Sequence, residues 1–101
     1  MVMAPEVERA LLLHDNIADC AVFGLPDMKF GEAVCCAVVC RGKEPSVLDV
    51  RDFCKRHGLA GYKRPQRIFL LPELPRNSSG KVLKFRLVEQ FKHIEAPISR
   101  L

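Results

Sequence analysis

Residues 32–39 read EAVCCAVV, and this stretch decides the fold that the sequence predicts. After the leading glutamate, every residue of the stretch is apolar. A strand with one solvated face would alternate polar and apolar side chains, whereas a continuous apolar run is typical of a strand that is covered on both faces. We therefore predict a central strand with other elements packed on both of its sides.

The segments on either side of this strand have their own signals. Residues 17–23 (IADCAVF) predict a preceding strand, and residues 24–27 (GLPD) have the composition of a structural turn rather than of a ligand site. After the central strand, Ser46 and Asp49 have the spacing of a capping box, which favours a helix start. Gly58 is suited to end that helix.

The remaining elements complete a small α+β domain. A helix is predicted from Pro5, a third strand at residues 67–71, and a final helix whose apolar face is formed by Leu87, Val88, Phe91 and Ile94. The order is α-β-β-α-β-loop-α, which predicts a three-stranded sheet flanked by helices. The helix between the second and third strands leaves room for a crossover. We place the domain at residues 1–94 and predict a flexible tail at residues 95–101.

Composition excludes several classes of protein. The chain has 101 residues, which suits one domain, and no apolar run approaches the roughly 18 residues of a membrane span. The first ten residues, MVMAPEVERA, do not predict a signal peptide. The five cysteines form no C-x-x-C pair, so we predict reduced core thiols and no metal site.

Charge is distributed unevenly along the chain. Residues 1–50 hold four Lys/Arg and eight Asp/Glu, a net of −4, whereas residues 51–101 hold twelve and four, a net of +8. A basic face attracts phosphates of a nucleotide or of nucleic acid, although an ordinary solvated helix face explains the same charge. Nucleic acid is disfavoured because the chain has no Trp and one Tyr with which to stack bases.

Residues 77–81 (NSSGK) place a lysine directly after a glycine in a run of small residues. The P-loop pattern fails, because Pro75 and Val82 stand where it needs Gly and Ser or Thr. Gly80 permits a positive φ, and Lys81 can present a compact ammonium to a phosphate or a carboxylate. Composition alone, however, favours a solvated loop lysine.

Three blocks of sequence resemble a known family. They are residues 6–11 (EVERAL), residues 22–32 (VFGLPDMKFGE) and residues 74–82 (LPRNSSGKV), in that order. Together, residues 4–90 resemble the small C-terminal, or lid, domain of the adenylate-forming enzymes. These include acyl-CoA synthetases, 4-coumarate–CoA ligases, firefly luciferase and the adenylation domains of peptide synthetases. Residues 62–64 (YKR) look closest to the CoA-ligase branch.

The resemblance implies a set of functional residues. Lys81 corresponds to the adenylation lysine, which contacts the substrate carboxylate and an ATP phosphate as acyl-AMP forms, and Gly80 shapes its approach. Lys63 and Arg64 are expected near phosphates of CoA or of the nucleotide, with ordinary surface charge as the alternative. ATP and CoA are the implied co-substrates, with Mg²⁺ accompanying ATP. The identity of the acid depends on a pocket in the large N-terminal adenylation domain. CoA, rather than a carrier protein, is inferred as the acceptor from the resemblance to the CoA-ligase branch and from the last residues of the chain.

That large domain is not contained in these 101 residues. We therefore expect the chain alone to be inactive, whether it is a natural isoform or a fragment, and its oligomeric state is open. An alternative is a non-catalytic binding or regulatory module that docks on a larger ligase domain.

The chain ends in Ser99, Arg100 and Leu101. This ending resembles S-K-L, the tripeptide that a peroxisomal import receptor reads. We expect a peroxisomal location on this basis, and a cytoplasmic one otherwise.

Overall fold

The computed structural model describes residues 4–29 and 31–100. Within these residues the chain forms helices α1 (Ala4–Leu11), α2 (Val47–Arg56) and α3 (Lys84–Phe91), and a 3₁₀ helix at Gly61–Lys63. The strands are β1 (Ile17–Asp27), β2 (Gly31–Cys40), β3 (Arg67–Leu70) and β4 (Ile98–Arg100). They form one sheet in the order β1-β2-β3-β4, so the α+β prediction is confirmed.

Strand β2 lies inside the sheet, antiparallel to β1 and parallel to β3. Every residue from position 33 to position 38 is buried. Cys36 packs in a cluster with α1 and α2, whereas its neighbours Cys35 and Ala37 pack in a cluster with α3. The prediction of a central strand covered on both faces is therefore confirmed, as is the helical crossover to β3.

The two clusters are separate apolar cores on opposite faces of the sheet. The side chains of Val7, Leu11, Val50 and Cys54 bring α1 and α2 onto one face. On the other face, the Phe69 ring of β3 stacks on the Phe91 ring of α3 with 4.1 Å between centroids. The sheet is therefore the middle of three layers, with α1 and α2 on one side and α3 on the other.

Helix α2 begins and ends as the sequence predicts. The Ser46 hydroxyl accepts from the Asp49 backbone N–H at 3.0 Å, and the Asp49 carboxylate accepts from the Ser46 N–H at 3.2 Å. This reciprocal pair is a capping box. Gly58 follows the helix with φ of +82°, the left-handed conformation that glycine adopts without a steric cost.

The predicted turn at residues 24–27 is wrong. Strand β1 continues to Asp27, with Pro26 opposite Glu32 and Asp27 opposite Gly31. Proline is tolerated here because β1 is an edge strand, so its missing N–H removes no bond to a further strand. The chain therefore reverses after Asp27.

The predicted number of strands is also too low. Strand β4 pairs parallel with β3, with Ile98 opposite Ile68 and Arg100 opposite Leu70. It lies in the segment that the sequence predicts to be a flexible tail. Three residues are too few to show a periodic pattern, and the pairing partner is distant in sequence, so sequence reasoning had no signal for this strand. The domain boundary at residue 94 stays a prediction.

Candidate functional site

Lys81 lies in a closed hairpin between β3 and α3, which we define as residues 76–82 and call the Lys81 hairpin. Its two ends form an isolated antiparallel bridge. Inside it, the backbone N–H of Asn77 donates to the Lys81 carbonyl at 3.0 Å, and the N–H of Gly80 donates to the Asn77 carbonyl at 3.0 Å. The backbone that carries the lysine is therefore held in a hydrogen-bonded turn.

The side chain of Asn77 closes this turn from within. Its Oδ1 accepts from the backbone N–H of Ser79 at 3.0 Å, from that of Lys81 at 2.9 Å and from the Ser79 hydroxyl at 2.8 Å. Gly80 completes the turn with φ of +87°. Sequence reasoning missed this role of Asn77, although an Asn before a glycine in a run of small residues is a known turn signal.

The side chain of Lys81 is exposed. Among the described residues, no hydrogen bond or ion pair engages its ammonium. Lys81 lines an open groove whose other walls come from α1, β1 and the start of α3, including Glu8, Cys20 and Phe85. Phe85 is itself 63% exposed. The ammonium is thus accessible to a reactant that arrives from outside the domain.

Glu8 of α1 ties together three elements beside the Lys81 hairpin. Its Oε2 accepts from the backbone N–H of Val22 in β1 at 2.7 Å and pairs with the Lys84 ammonium at the start of α3 at 2.9 Å. The carboxylate therefore satisfies a backbone N–H on the edge strand and links α1 to the start of α3 across that edge. Sequence reasoning gave this acid no role beyond the EVERAL block, because nothing local indicates its distant partners.

Lys63 and Arg64 have partners within the domain. The Lys63 ammonium lies 3.0 Å from the carboxylate of Glu6, and this hydrogen bond raises the pKa of Lys63, so the side chain stays charged. Arg64 donates from Nε to the Leu59 carbonyl at 2.9 Å. Within the described part of the chain, no hydrogen bond or ion pair joins either residue to the Lys81 hairpin.

Asp27 has a structural partner rather than a turn role. Its Oδ1 lies 2.9 Å from Nη2 of Arg67, and both side chains are largely buried. Nη1 of Arg67 also donates to the Ile94 carbonyl at 3.4 Å. The pair holds the end of β1 to the start of β3 and to the chain that follows α3.

The cysteines carry free thiols in the described residues, and all except the half-buried Cys40 are buried. Burial raises the pKa of Cys35 and of Cys54 to about 11. A hydrogen bond with Cys20, together with burial, raises the pKa of Cys36. Thiols of this kind are protonated at neutral pH and are poor nucleophiles and metal ligands.

Residues 4–29 and 31–100 contain neither a candidate metal site nor a membrane-spanning helix. No group of three or more His, Cys, Asp or Glu side chains in that part of the chain could hold a metal ion. None of the helices formed by those residues has the length and apolarity that crossing a bilayer requires.

Comparison with known proteins gives a family match over most of the chain. The family model of the AMP-binding enzyme C-terminal domain matches residues 6–81. The oxalate–CoA ligase of Arabidopsis thaliana is 41% identical over 86 residues, which make up 84% of this chain and 16% of the relative. The 4-chlorobenzoate–CoA ligase of an Arthrobacter species is 43% identical over 89 residues, 87% of this chain and 17% of the relative.

The chain thus spans about a sixth of the length of these curated relatives. Among solved structures, a fatty acyl CoA synthetase of Mycobacterium tuberculosis superposes with a TM-score of 0.82 and 35% sequence identity. That superposition covers 90% of this chain and 18% of the synthetase. The chain therefore belongs to the AMP-binding enzyme C-terminal domain family, the small domain of CoA ligases and other adenylate-forming enzymes.

Proposed function

We propose that the chain is the lid domain of an ATP-dependent acid–CoA ligase and that Lys81 is its adenylation residue. One observation carries this proposal: the Lys81 ammonium is exposed on an ordered hairpin and has no partner among the described residues. A lysine without a counter-ion in its own domain is available to anions that another domain brings. Family membership and the two CoA-ligase relatives support the reaction class.

The first half-reaction explains why an ammonium is needed. A carboxylate oxygen of the acid attacks the α-phosphorus of ATP, and the bond from that phosphorus to pyrophosphate breaks. Two anionic groups approach each other in this step, so a positive charge between them lowers the barrier. Lys81 supplies the charge, and Gly80 turns the backbone that presents it. We expect Mg²⁺ to accompany ATP, with its protein ligands in the large domain.

For the second half-reaction, the Lys81 ammonium has to leave the reaction centre so that CoA can enter it. The sulfur of CoA attacks the acyl carbon, the bond to AMP breaks, and the thiol proton leaves to solvent. A lysine on a separate small domain is withdrawn when that domain rotates, which lets the site be dismantled between the two steps.

For Lys63 and Arg64 we propose a lesser role at a phosphate of CoA or of the nucleotide. In this structure the Lys63 ammonium is bound by Glu6. Lys63 would therefore exchange one anionic acceptor for another when it meets a phosphate. Arg64 would use the guanidinium nitrogens that do not donate to Leu59.

The test is a chimera in which this chain replaces the small domain of the Arthrobacter 4-chlorobenzoate–CoA ligase. We expect the chimera to form 4-chlorobenzoyl-AMP from ATP and 4-chlorobenzoate faster than the large domain alone does. Lys81→Ala should slow pyrophosphate release by about 100-fold or more, the usual loss when an electrostatic stabiliser is removed. Thioester formation from preformed acyl-AMP should change little.

Lys92→Ala is the matched control, because Lys92 is an exposed lysine directly after α3 that pairs with Glu89. It should leave both half-reactions unchanged. An acyl-AMP rate no higher than that of the large domain alone, or a loss of only a few fold in Lys81→Ala, would contradict the proposed function. Inhibition of the intact Arthrobacter ligase by the separate chain would instead favour a regulatory module that occupies the lid position.

For location, we propose import into peroxisomes through the terminal tripeptide. Ser99 and Arg100 belong to β4, and Arg100 pairs with Glu44, so a receptor would need the tail to leave the sheet. A fluorescent protein fused to the N-terminus of the chain should be punctate in cells, and deletion of residues 99–101 should make it diffuse. A cytosolic signal from the intact fusion would overturn the assignment.

A further inference from the structure

Arg76 links the Lys81 hairpin to the edge of the sheet through two contacts. Its Nη2 lies 2.5 Å from Oδ2 of Asp19 in β1, and its Nη1 donates to the Gly80 carbonyl at 2.6 Å. Gly80 directly precedes Lys81, so one guanidinium connects β1 to the peptide that carries the lysine. The two acceptors bind different nitrogens of a planar group, which fixes the orientation of that group.

We propose that Arg76 is a positioning residue: by bridging Asp19 and the Gly80 carbonyl, it sets the direction in which Lys81 leaves the hairpin. The inference rests on the proposed function, because it concerns the step in which Lys81 acts. In this role Arg76 contacts no reactant and acts through Lys81. The Lys81 ammonium stabilises the reaction only when it lies at the reacting atoms, and a displacement of about 1 Å can cost a large part of the rate.

The bridge matters for geometry more than for stability. Both side chains of the Arg76–Asp19 pair are over a third exposed, 41% and 34%, and ion pairs with such exposure add little to stability. The hydrogen bonds of Asn77 close the turn without help from Arg76, but they lie wholly inside the hairpin. They therefore shape the turn and do not relate it to the sheet.

The opposite end of the hairpin leads into a second ion pair, between Lys84 and Glu8. Lys84 follows the hairpin and pairs at the start of α3, so it anchors the exit of the loop. Arg76 anchors its entry and, through the Gly80 carbonyl, its tip. Removing Arg76 should therefore leave the loop attached but allow its tip to turn relative to β1.

The activity experiment uses the chimera described above with Arg76→Ala, Arg76→Lys and Asp19→Asn. We expect Arg76→Ala to lower kcat for acyl-AMP formation about 10-fold or more, with KM for ATP and for the acid little changed. Thioester formation from preformed acyl-AMP should be unaffected. Arg76→Lys should retain more of the rate than Arg76→Ala, because the lysine ammonium keeps the positive charge. It should retain less than the unsubstituted chimera, because it lacks the planar guanidinium that binds both acceptors. Asp19→Asn should act in the same direction and add little to Arg76→Ala.

A second measurement needs no activity. In the 101-residue chain, amide hydrogen exchange at Gly80 and Lys81 should be several-fold faster in Arg76→Ala than in the unsubstituted chain. Exchange in β2 should not change, because the sheet is intact. Arg86→Ala, which removes another exposed arginine near the loop, is the matched control and should change neither amide exchange in the hairpin nor kcat.

Each outcome decides between the alternatives. Equal losses in both half-reactions would mean that Arg76 is merely structural, and a slower kcat without faster exchange would mean that it contacts a reactant; either result overturns the positioning role. An unchanged kcat in Arg76→Ala beside a strong loss in Lys81→Ala overturns it and leaves the proposed function standing. If Lys81→Ala has no effect, the proposed function fails, and the exchange measurement alone decides whether Arg76 orders the hairpin.

Discussion

Gly80 and Gly61 form a matched pair for testing what a glycine supplies to the fold. Gly80 has φ of +87°, and Gly61 does not lie in the left-handed region, while an added Cβ would meet no atom within 4 Å at either position. The two alanine substitutions therefore differ in backbone strain and not in crowding. We expect Gly80→Ala to lower the free energy of unfolding by about 1 kcal/mol.

Gly61→Ala should leave that free energy unchanged or raise it slightly, because alanine restricts the unfolded chain. Urea unfolding of the 101-residue chain measures both values. Equal effects of the two substitutions would mean that the left-handed conformation at Gly80 is not strained for alanine.

Single residues also show where sequence reasoning succeeds. The motif around Gly80 and Lys81 is local, so the sequence alone identifies it. The partners of the charged residues are not local: Lys63 meets Glu6, and Arg76 meets Asp19, each across 57 positions. No pattern of nearby residues predicts such pairs, because they depend on how α1 and β1 pack against the rest of the domain.

Among the elements, β4 is the strand whose contribution is easiest to isolate. It pairs with β3, where Ile68 and Phe69 are fully buried, and the Ile68 N–H donates to the Pro97 carbonyl at 2.8 Å. A chain that ends at Ala96 leaves this edge of β3 unpaired. We expect such a chain to lose about 2 kcal/mol of unfolding free energy, since each hydrogen bond contributes about 1 kcal/mol.

Arg100→Ala is the control for this truncation, because it removes the exposed ion pair with Glu44 but keeps the strand. It should cost less than about 1 kcal/mol. Urea unfolding compares the three chains. A truncated chain as stable as the intact one would mean that β4 contributes nothing to the sheet in solution.

For the molecule as a whole, the buried thiols predict a loss of stability in alkali. Burial raises the pKa of Cys35 and Cys54 to about 11 in the folded chain, against an ordinary value of 9.0. Between these values the unfolded chain loses thiol protons that the folded chain keeps, so the free energy of unfolding falls as pH rises. From pH 8 to pH 10.5 we expect a loss of about 2 kcal/mol for each of the two thiols.

The measurement is urea unfolding over this pH range. The comparison is a chain carrying Cys35→Ala and Cys54→Ala, which will be less stable at every pH but should show a shallower slope. Other groups that titrate in alkali are common to both chains and cancel in the difference. Identical slopes would show that these thiols titrate normally in the folded state.

The sequence by itself determined the α+β class, the central strand, the caps of α2, the family and the position of Lys81. Each of these depends on neighbouring residues: an apolar run, a four-residue cap, or short blocks in a set order. Tertiary structure alone decided the length of β1, the presence of β4 and the ion pairs that surround the Lys81 hairpin. The physical reason is that strand pairing and charge pairing join residues far apart in the chain, so their energies exist only after the layers have packed.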